Sequence, residues 1–504
     1  MTRPDLVIII TDQERYPQHW PTGLRDQLMP TWRRLEQHGL TFSNAFCAAS
    51  QCSPSRAVMF TGHYAPKNGV PTLQAPSATD SGSVLTPCSD LPNLGSVLRD
   101  NGYDVAFKGK WHLSFPLGFQ GGSPANEVWT EADIANLENV YGLPGWTPPD
   151  AGNNAFNSPG ARTTLGGGTA NNDGRFVSGP QPEAIPAESV ISYLTRMANT
   201  PRSQRAPFCL FVSAVNPHDI AYFPNGWDQA GYQLPAFSSQ PVAIPPNAFD
   251  PLATKPRVQL AYKQAIEKEA PLDAAGMTQY GQFYAYLHTV IDAQISKVLD
   301  LLDETGLTSE TVIVRTADHG ELGLSHGLRE KAYSAYEEMI HVPLCVSCPA
   351  MYKGASQTDA MWSHVDLMAT VCDLARVVTA PTAGRSQLAV LLDPTRQVRD
   401  SVLFAFDDSF LLDPASPDCN PHIRALRTER YTYAVYFSTV TSAPFEYELY
   451  DNLADPLQLT NLLFSKTPSI VPIWIELDLR LQEAMRLAEA TPQKVPWQTL
   501  QPAG

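Results

Sequence analysis

A chain of 504 residues, 43% hydrophobic and 17% charged, can bury a large core and carries no compositional sign of wholesale disorder. Its formal net charge of −16 repels nucleic acid and anionic membranes and disfavours a highly sulfated polymer, although a local cluster of cations can still admit a small anion. The 44 prolines and 31 glycines point to long, ordered surface loops, and the length allows two or three domains.

No apolar run reaches the length of a membrane span. The amino terminus, Met1-Thr2-Arg3-Pro4-Asp5, enters a short apolar stretch without the form of a signal peptide, so a cytoplasmic location is expected. The eight cysteines, at 47, 52, 88, 209, 345, 348, 372 and 419, lack a framework spacing, which suits a reducing compartment. Cys345 and Cys348 form a Cys-x-x-Cys, but their apolar setting and the lack of a second ligand pair assign them to the core.

Leu6-Val7-Ile8-Ile9-Ile10 reads as a strand buried on both faces of a parallel sheet. It stops at Thr11-Asp12-Gln13-Glu14, and open α/β sheets place ligand chemistry at the carboxyl ends of such strands. Asp12 is therefore either a turn former or a metal ligand. Residues 30–39 read as a helix with a glycine stop, and 41–47 lead into Cys52-Ser53-Pro54-Ser55-Arg56-Ala57-Val58-Met59-Phe60-Thr61-Gly62. That stretch reads as a helix start, with Ser53 and Ser55 as capping residues and Pro54 suited to the first helical position. Cys52 would sit at the positive helix end, and Arg56 one turn on adds a planar cationic fork, a combination that holds sulfate or phosphate.

Residues 91–102 read as a helix and Tyr103-Asp104-Val105-Ala106-Phe107 as a strand, which ends in Gly109-Lys110-Trp111-His112-Leu113. Residues 114–186 are rich in Gly, Pro, Asn and Ser and read as a lid or wall of the site. A helix at 187–198 precedes a buried strand at 207–214 that runs into Val215-Asn216-Pro217-His218-Asp219, and a Pro-rich excursion at 222–275 forms a rim. Residues 277–304 have helical apolar spacing, with His288 an ordinary helix residue. The strand 311–316 ends in Ala317-Asp318-His319-Gly320-Glu321. A helix at 367–374 follows. Beyond about residue 390 the pattern changes to short strands at 401–406, 423–437 and 447–450, with a last helix at about 470–490 lying on them.

The run Cys52-x-Pro54-Ser55-Arg56 with Thr61-Gly62, and the block Gly109-Lys110-Trp111-His112-Leu113, resemble the signatures of the type I, formylglycine-dependent sulfatases of the alkaline phosphatase superfamily. The resemblance implies an α/β fold with a large, mostly parallel sheet sandwiched by helices. A catalytic domain would span 1–390, with 114–186 and 222–275 as loop-rich insertions, and a smaller domain of antiparallel strands and a helix would span 391–504. It implies that Cys52 is converted by a formylglycine-generating enzyme to an aldehyde whose hydrate is the nucleophile. One divalent metal ion would be held by Asp12, Asp318, His319 and the modified Cys52, with Gln13 a secondary candidate where many members have a second aspartate.

By the same resemblance Lys110 grips the sulfate, His112 acts as a base on the formylglycine hydroxyl, and His218 is the leaving-group acid or a sulfate ligand. Lys331, in Gly327-Leu328-Arg329-Glu330-Lys331, supplies a second lysine. His326 is open between a substrate contact and a loop residue, and His341 is given no role. The imidazole of His319 moves the metal preference from Ca2+ toward Mn2+. The expected activity is hydrolysis of small aryl or alkyl sulfate monoesters. The Asp12-Gln13 and Asp318-His319 pairs resemble the choline-sulfatase and phosphonate monoester hydrolase branches, so a phosphonate monoester or phosphodiester hydrolase is the alternative. A third reading is a non-catalytic anion-binding homologue in which Cys52 stays a thiol. No nucleic acid or membrane partner is expected, and a homo-oligomer is left open.

Overall fold

The apolar run at 6–10 lies within strand β1 (Asp5–Asp12), every residue of which is buried. Leu6, Ile8 and Ile10 join one core cluster while Val7 and Ile9 join another, which is why the strand carries no polar alternation. The computed structural model describes residues 3–74, 83–119, 128–148, 150, 172–179, 188–228, 230–408, 411–413, 416, 420–465 and 467–492.

The other strands are β2 (Gly39–Phe46), β3 (Asp104–Gly109), β4 (Phe208–Pro217), β5 (Thr311–Ala317), β6 (Leu344–Ser347) and β7 (Ser356–Ser363), followed by β8 (Ser401–Phe406), β9 (His422–Thr428), β10 (Tyr431–Phe437) and β11 (Glu446–Asp451). The first seven form one sheet in the order β3-β4-β1-β5-β6-β2-β7. The neighbours β3, β4, β1 and β5 are all parallel, so their carboxyl ends share one edge. Strand β6 is antiparallel to both β5 and β2, and β2 is parallel to β7. Ile291, Ile295 and Val298 of the helix Ala274–Glu304 cover one face with Val7 and Ile9. Ala57 and Phe60 of the helix Cys52–Thr61, Leu94 and Leu98 of Leu94–Asp100, and Val371 of Asp366–Ala375 cover the other.

The second sheet is antiparallel, in the order β11-β10-β9-β8. Leu477, Leu481 and Met485 of the helix Val471–Leu487 pack on one face, against Leu426, Tyr433 and Leu449. Phe404, Ala425, Ala434 and Tyr450 on the other face belong to the main core. The sheet is thus buried on both sides, which explains apolar residues at successive positions of β8 and β10.

Several sequence expectations change. The stretch 423–437 is two strands joined by a turn at Glu429 and Arg430. Strands β2 and β7 had no strand reading, because the alternation of β2 is short and broken at Ser43-Asn44 and β7 opens on a polar run with Gln357 and Asp359 exposed. The excursion at 222–275 holds a helix, Arg257–Glu269, entered through Pro256. Among the described residues of 114–186 two helices occur, Glu131–Val140 and Asn172–Val177, while 120–127, 149, 151–171 and 180–186 lie outside the described residues.

Candidate active site

The shared edge collects the side chains. Asp12 ends β1, Asp318 and His319 follow β5, Lys110 and His112 follow β3, and His218 follows β4. Gly109 makes the close approach of β3 to β4, at φ 100°, where a Cβ would stand 2.0 Å from the Ser213 carbonyl oxygen. The helix Cys52–Thr61 begins at Cys52, and all ten of its residues are buried.

The expected serine caps are not formed. Gln51 is the N-cap and makes no side-chain cap bond, while Pro54 is the third helical residue. Ser53 Oγ instead accepts from the Gln74 N–H at 3.1 Å, and Ser55 Oγ donates to the Asp318 carbonyl at 2.5 Å. Both serines tie the helix start to neighbouring segments, so the first turn's N–H groups receive no capping oxygen.

One ligand atom each from Asp12, Cys52, Asp318 and His319 lies within 4.8 Å of the others, all fully buried. Each carboxylate is divided in its task. Arg56 Nη2 donates to Asp12 Oδ2 at 3.0 Å and Nε to Asp318 Oδ2 at 2.9 Å, and Lys110 Nζ pairs with Asp12 Oδ2 at 2.7 Å. The Oδ1 atoms face the cluster: Asp12 Oδ1 is 3.5 Å from Cys52 Sγ, and both lie 3.6–3.7 Å from His319 Nε2. His319 Nε2 is 3.2 Å from Sγ, and Nδ1 is fixed by the Gly320 carbonyl at 2.8 Å. This leaves Nε2 as the coordinating nitrogen of the ring.

The charges confirm crowding. Burial and the neighbouring Asp12 push the Asp318 carboxyl up to about 6. Burial and Cys52 act in the same direction on Asp12, but Lys110, His218 and Arg56 together hold it well below the usual range. Burial lowers His319, yet Asp318 and Cys52 bring it up to about 9. Burial raises the Cys52 thiol, and Lys110, Lys331 and His319 outweigh it and lower it well below its ordinary value. Two carboxylates, an imidazole and a fourth side-chain donor in one dry site fit a divalent cation, which would displace the proton on His319.

Two more histidines face Cys52. His112 Nε2 lies 2.9 Å from the Gln74 carbonyl, so it carries the proton and leaves the buried Nδ1, which has no protein hydrogen-bond partner, as a base. His218 is pushed down to about 4 by burial, Lys331 and Lys110, and its buried Nδ1 is also without a partner. Lys331 Nζ donates to Gln13 Oε1. Gln13 Nε2 donates to Glu321 and, at 3.1 Å, to Glu330, while its backbone N–H donates to Asp318 Oδ1 at 3.0 Å.

His326 is not brought to Cys52. It is buried, 2.7 Å from Asp250 and stacked on Tyr336. His341 stacks on Tyr16, and Cys345 and Cys348 are buried free thiols. Sequence reasoning missed Glu321, Ser213, Gln74, Asp150 and Asp173. Glu321 follows His319 by two residues at a strand end and could have been found; the others stand in stretches that no spacing rule marks.

The family described as Sulfatase matches residues 4–377, and that described as N-sulphoglucosamine sulphohydrolase, C-terminal, matches residues 325–486. An endo-4-O-sulfatase of Bacteroides thetaiotaomicron is 26% identical over 508 residues, covering 95% of this chain and 92% of that protein. A protein solved in complex with its substrate D-glucosamine-2-N,6-O-disulfate has a TM-score of 0.69 at 19% identity, covering 98% of this chain and 100% of its own. The phosphonate monoester hydrolase of Agrobacterium radiobacter has a TM-score of 0.66 at 20% identity, covering 100% and 99%. These two likenesses speak to the fold.

Proposed function

Because the chain belongs to the sulfatase family, whose members hydrolyse sulfate esters, we propose that it cleaves small aryl or alkyl sulfate monoesters through a formylglycine made from Cys52. The observation that carries this reading is the burial of Cys52 at a helix start, where it joins Asp12, Asp318 and His319 in a four-donor cation site beside three cations, Arg56, Lys110 and Lys331, with two histidines facing it. A buried cationic cluster inside a chain of net charge −16 selects a small anion by short-range contacts.

The hydrate of the Cys52 aldehyde supplies one hydroxyl to attack sulfur and a second whose deprotonation expels sulfate. A divalent ion held by Asp12, Asp318, His319 and the modified Cys52, Mn2+ before Ca2+ given the imidazole, would supply Lewis acidity. Arg56 holds the two carboxylates apart from the cluster by their Oδ2 atoms, so that both Oδ1 atoms stay directed inward. Lys110 and Lys331 bind the sulfate oxygens, and Gln13 orients the Lys331 ammonium. The negative charge of a bound ester offsets Lys331 and Lys110, the cations that hold His218 low in the free site, so that His218 takes up a proton there and gives it to the departing alcohol. His112 Nδ1, with its tautomer set by the Gln74 carbonyl, takes the proton from the remaining hydroxyl. We divide the chain near residue 390, with the boundary carried to the end of the helix Leu388–Leu392 so that the second part starts ahead of β8.

The phosphonate monoester reading is favoured by Asp12-Gln13 and Asp318-His319 together with the full-length likeness to the Agrobacterium hydrolase. The two readings separate in one assay of metal-loaded protein with an aryl sulfate, a glucosamine sulfate and an aryl phosphonate monoester. The sulfate esters should have the higher kcat/KM; turnover of the phosphonate alone would overturn the assignment.

A further inference from the structure

The two histidines that face Cys52 stand on loops whose backbone is gripped by carboxylates from a single stretch of chain. Asp150 Oδ1 accepts from the Trp111 N–H and Oδ2 from the His112 N–H, both at 2.7 Å. Asp173 Oδ1 accepts from the Val215 N–H at 2.7 Å and Oδ2 from the Asn216 N–H at 3.1 Å, just before His218. Asp150 is 4% exposed and Asp173 is fully buried. Both come from the Gly- and Asn-rich stretch 114–186.

A carboxylate that bridges two consecutive N–H groups fixes the angle between two peptide planes. At Asp150 the two planes flank Trp111, so the carboxylate fixes the peptide from which His112 departs, and His112 itself then takes a left-handed φ of 58°, uncommon for a residue with a Cβ. The imidazole can then reach both the Gln74 carbonyl and Cys52. At Asp173 the paired N–H groups end β4 and set the direction in which the chain leaves the sheet toward His218.

We propose that Asp150 and Asp173 are positioning residues, one for each catalytic histidine, and that the two carboxylates together set both histidines against Cys52. The proposal rests on the assignment of His112 as base and His218 as acid. An asparagine can serve only one N–H of each pair, because its amide nitrogen is itself a donor.

The test uses the full-length, metal-loaded protein with Asp150→Asn and Asp173→Asn, alone and in His112→Gln and His218→Gln backgrounds. Asp150→Asn should lower kcat about 10- to 100-fold, the range set by a small misplacement of a reacting group, and leave sulfate covalently retained on the Cys52 peptide, read by mass spectrometry. Asp173→Asn should instead steepen the dependence of rate on the pKa of the leaving alcohol. Each should add almost nothing once its own histidine is gone. Hydrogen exchange should show lost protection at one of the 111 and 112 amides in one variant and at one of the 215 and 216 amides in the other. Failure of the base assignment would show in His112→Gln itself, as absence of retained sulfate; failure of the clamp would show only in the aspartate variants. Equal slowing of both chemical steps, full additivity with the histidine variants, or unchanged exchange would overturn the proposal. Asp150→Ser and Asp173→Ser, made alongside, guard against misfolding of the asparagine variants; failure of both substitutions at a position to fold would also overturn the proposal, because it would make that residue purely structural.

Discussion

Replacing Arg56 by lysine keeps the charge and removes the fork. In the native site Nη2 and Nε hold Asp12 and Asp318 at 3.0 and 2.9 Å, while Nη1 donates to the Lys110 carbonyl at 3.0 Å and to Ser213 Oγ at 2.6 Å, with the whole side chain buried. One ammonium cannot span two carboxylates on different strands. Arg56→Lys therefore loses one bond to a charged partner, worth about 1.5–3 kcal/mol, and at least one neutral bond of about 1 kcal/mol. The expected loss is about 3 kcal/mol. Arg56→Ala should cost more, about 3–5 kcal/mol, because two buried carboxylates are left without their shared cation. Urea unfolding of the metal-free protein near neutral pH reads both values, with an unchanged m-value showing that the folded state is compared throughout. A loss under about 1 kcal/mol for the lysine variant, or an alanine variant no worse than it, would refute the view that the fork holds the two carboxylates.

His319→Asn should replace an imidazole by an amide oxygen and lower the affinity for Mn2+ relative to Ca2+ by about tenfold or more, measured by competition titration. In the protein with Cys52 unmodified, where Asp318 and Cys52 bring the metal-free His319 up to about 9, a cation must displace its proton, and Mn2+ affinity should rise about tenfold per pH unit between about pH 6 and 8. A pH-independent affinity would count against His319 as a ligand. His288, buried on the helix Ala274–Glu304, is lowered by burial to about 4 from an unfolded value of 6.5. Between those values the unfolded chain binds a proton that the folded chain does not, so stability should fall as pH drops through that window, by up to about 3 kcal/mol at its acid end. His288→Gln should flatten this slope in urea midpoints taken from pH 7 down to pH 4.5.

The parts of the site legible in the sequence are those where a buried strand meets its carboxyl end. The unbroken apolar run Leu6 to Ile10 marks β1 as a central strand, which put Asp12 at the ligand edge, and the same reasoning placed Asp318 and His319 after β5 and His218 after β4. The residues that tie the site together were hidden, because their partners are distant in sequence. Gln13 and Glu321 are 308 residues apart, and Asp150 grips amides 38 and 39 residues earlier. Local rules also failed where tertiary partners outbid them. Ser53 and Ser55 have the composition of helix caps, yet their hydroxyls serve Gln74 and Asp318. The edge strand β7 escaped notice since its first half, Ser356 to Asp359, is all polar, with Gln357 and Asp359 facing solvent.

The central claim is that Cys52 acts as an aldehyde rather than a thiol. Its side chain is buried among Lys110, Lys331, His112, His218 and His319, a setting that lowers a thiol but would equally stabilise an attacking oxygen. Mass analysis of the peptide containing Cys52, from active protein produced alongside a formylglycine-generating enzyme, tests this directly. The account predicts a peptide in which the thiol is replaced by an aldehyde, in a fraction that scales with specific activity across preparations. Full sulfate ester turnover by protein whose Cys52 is wholly an unmodified thiol would contradict it.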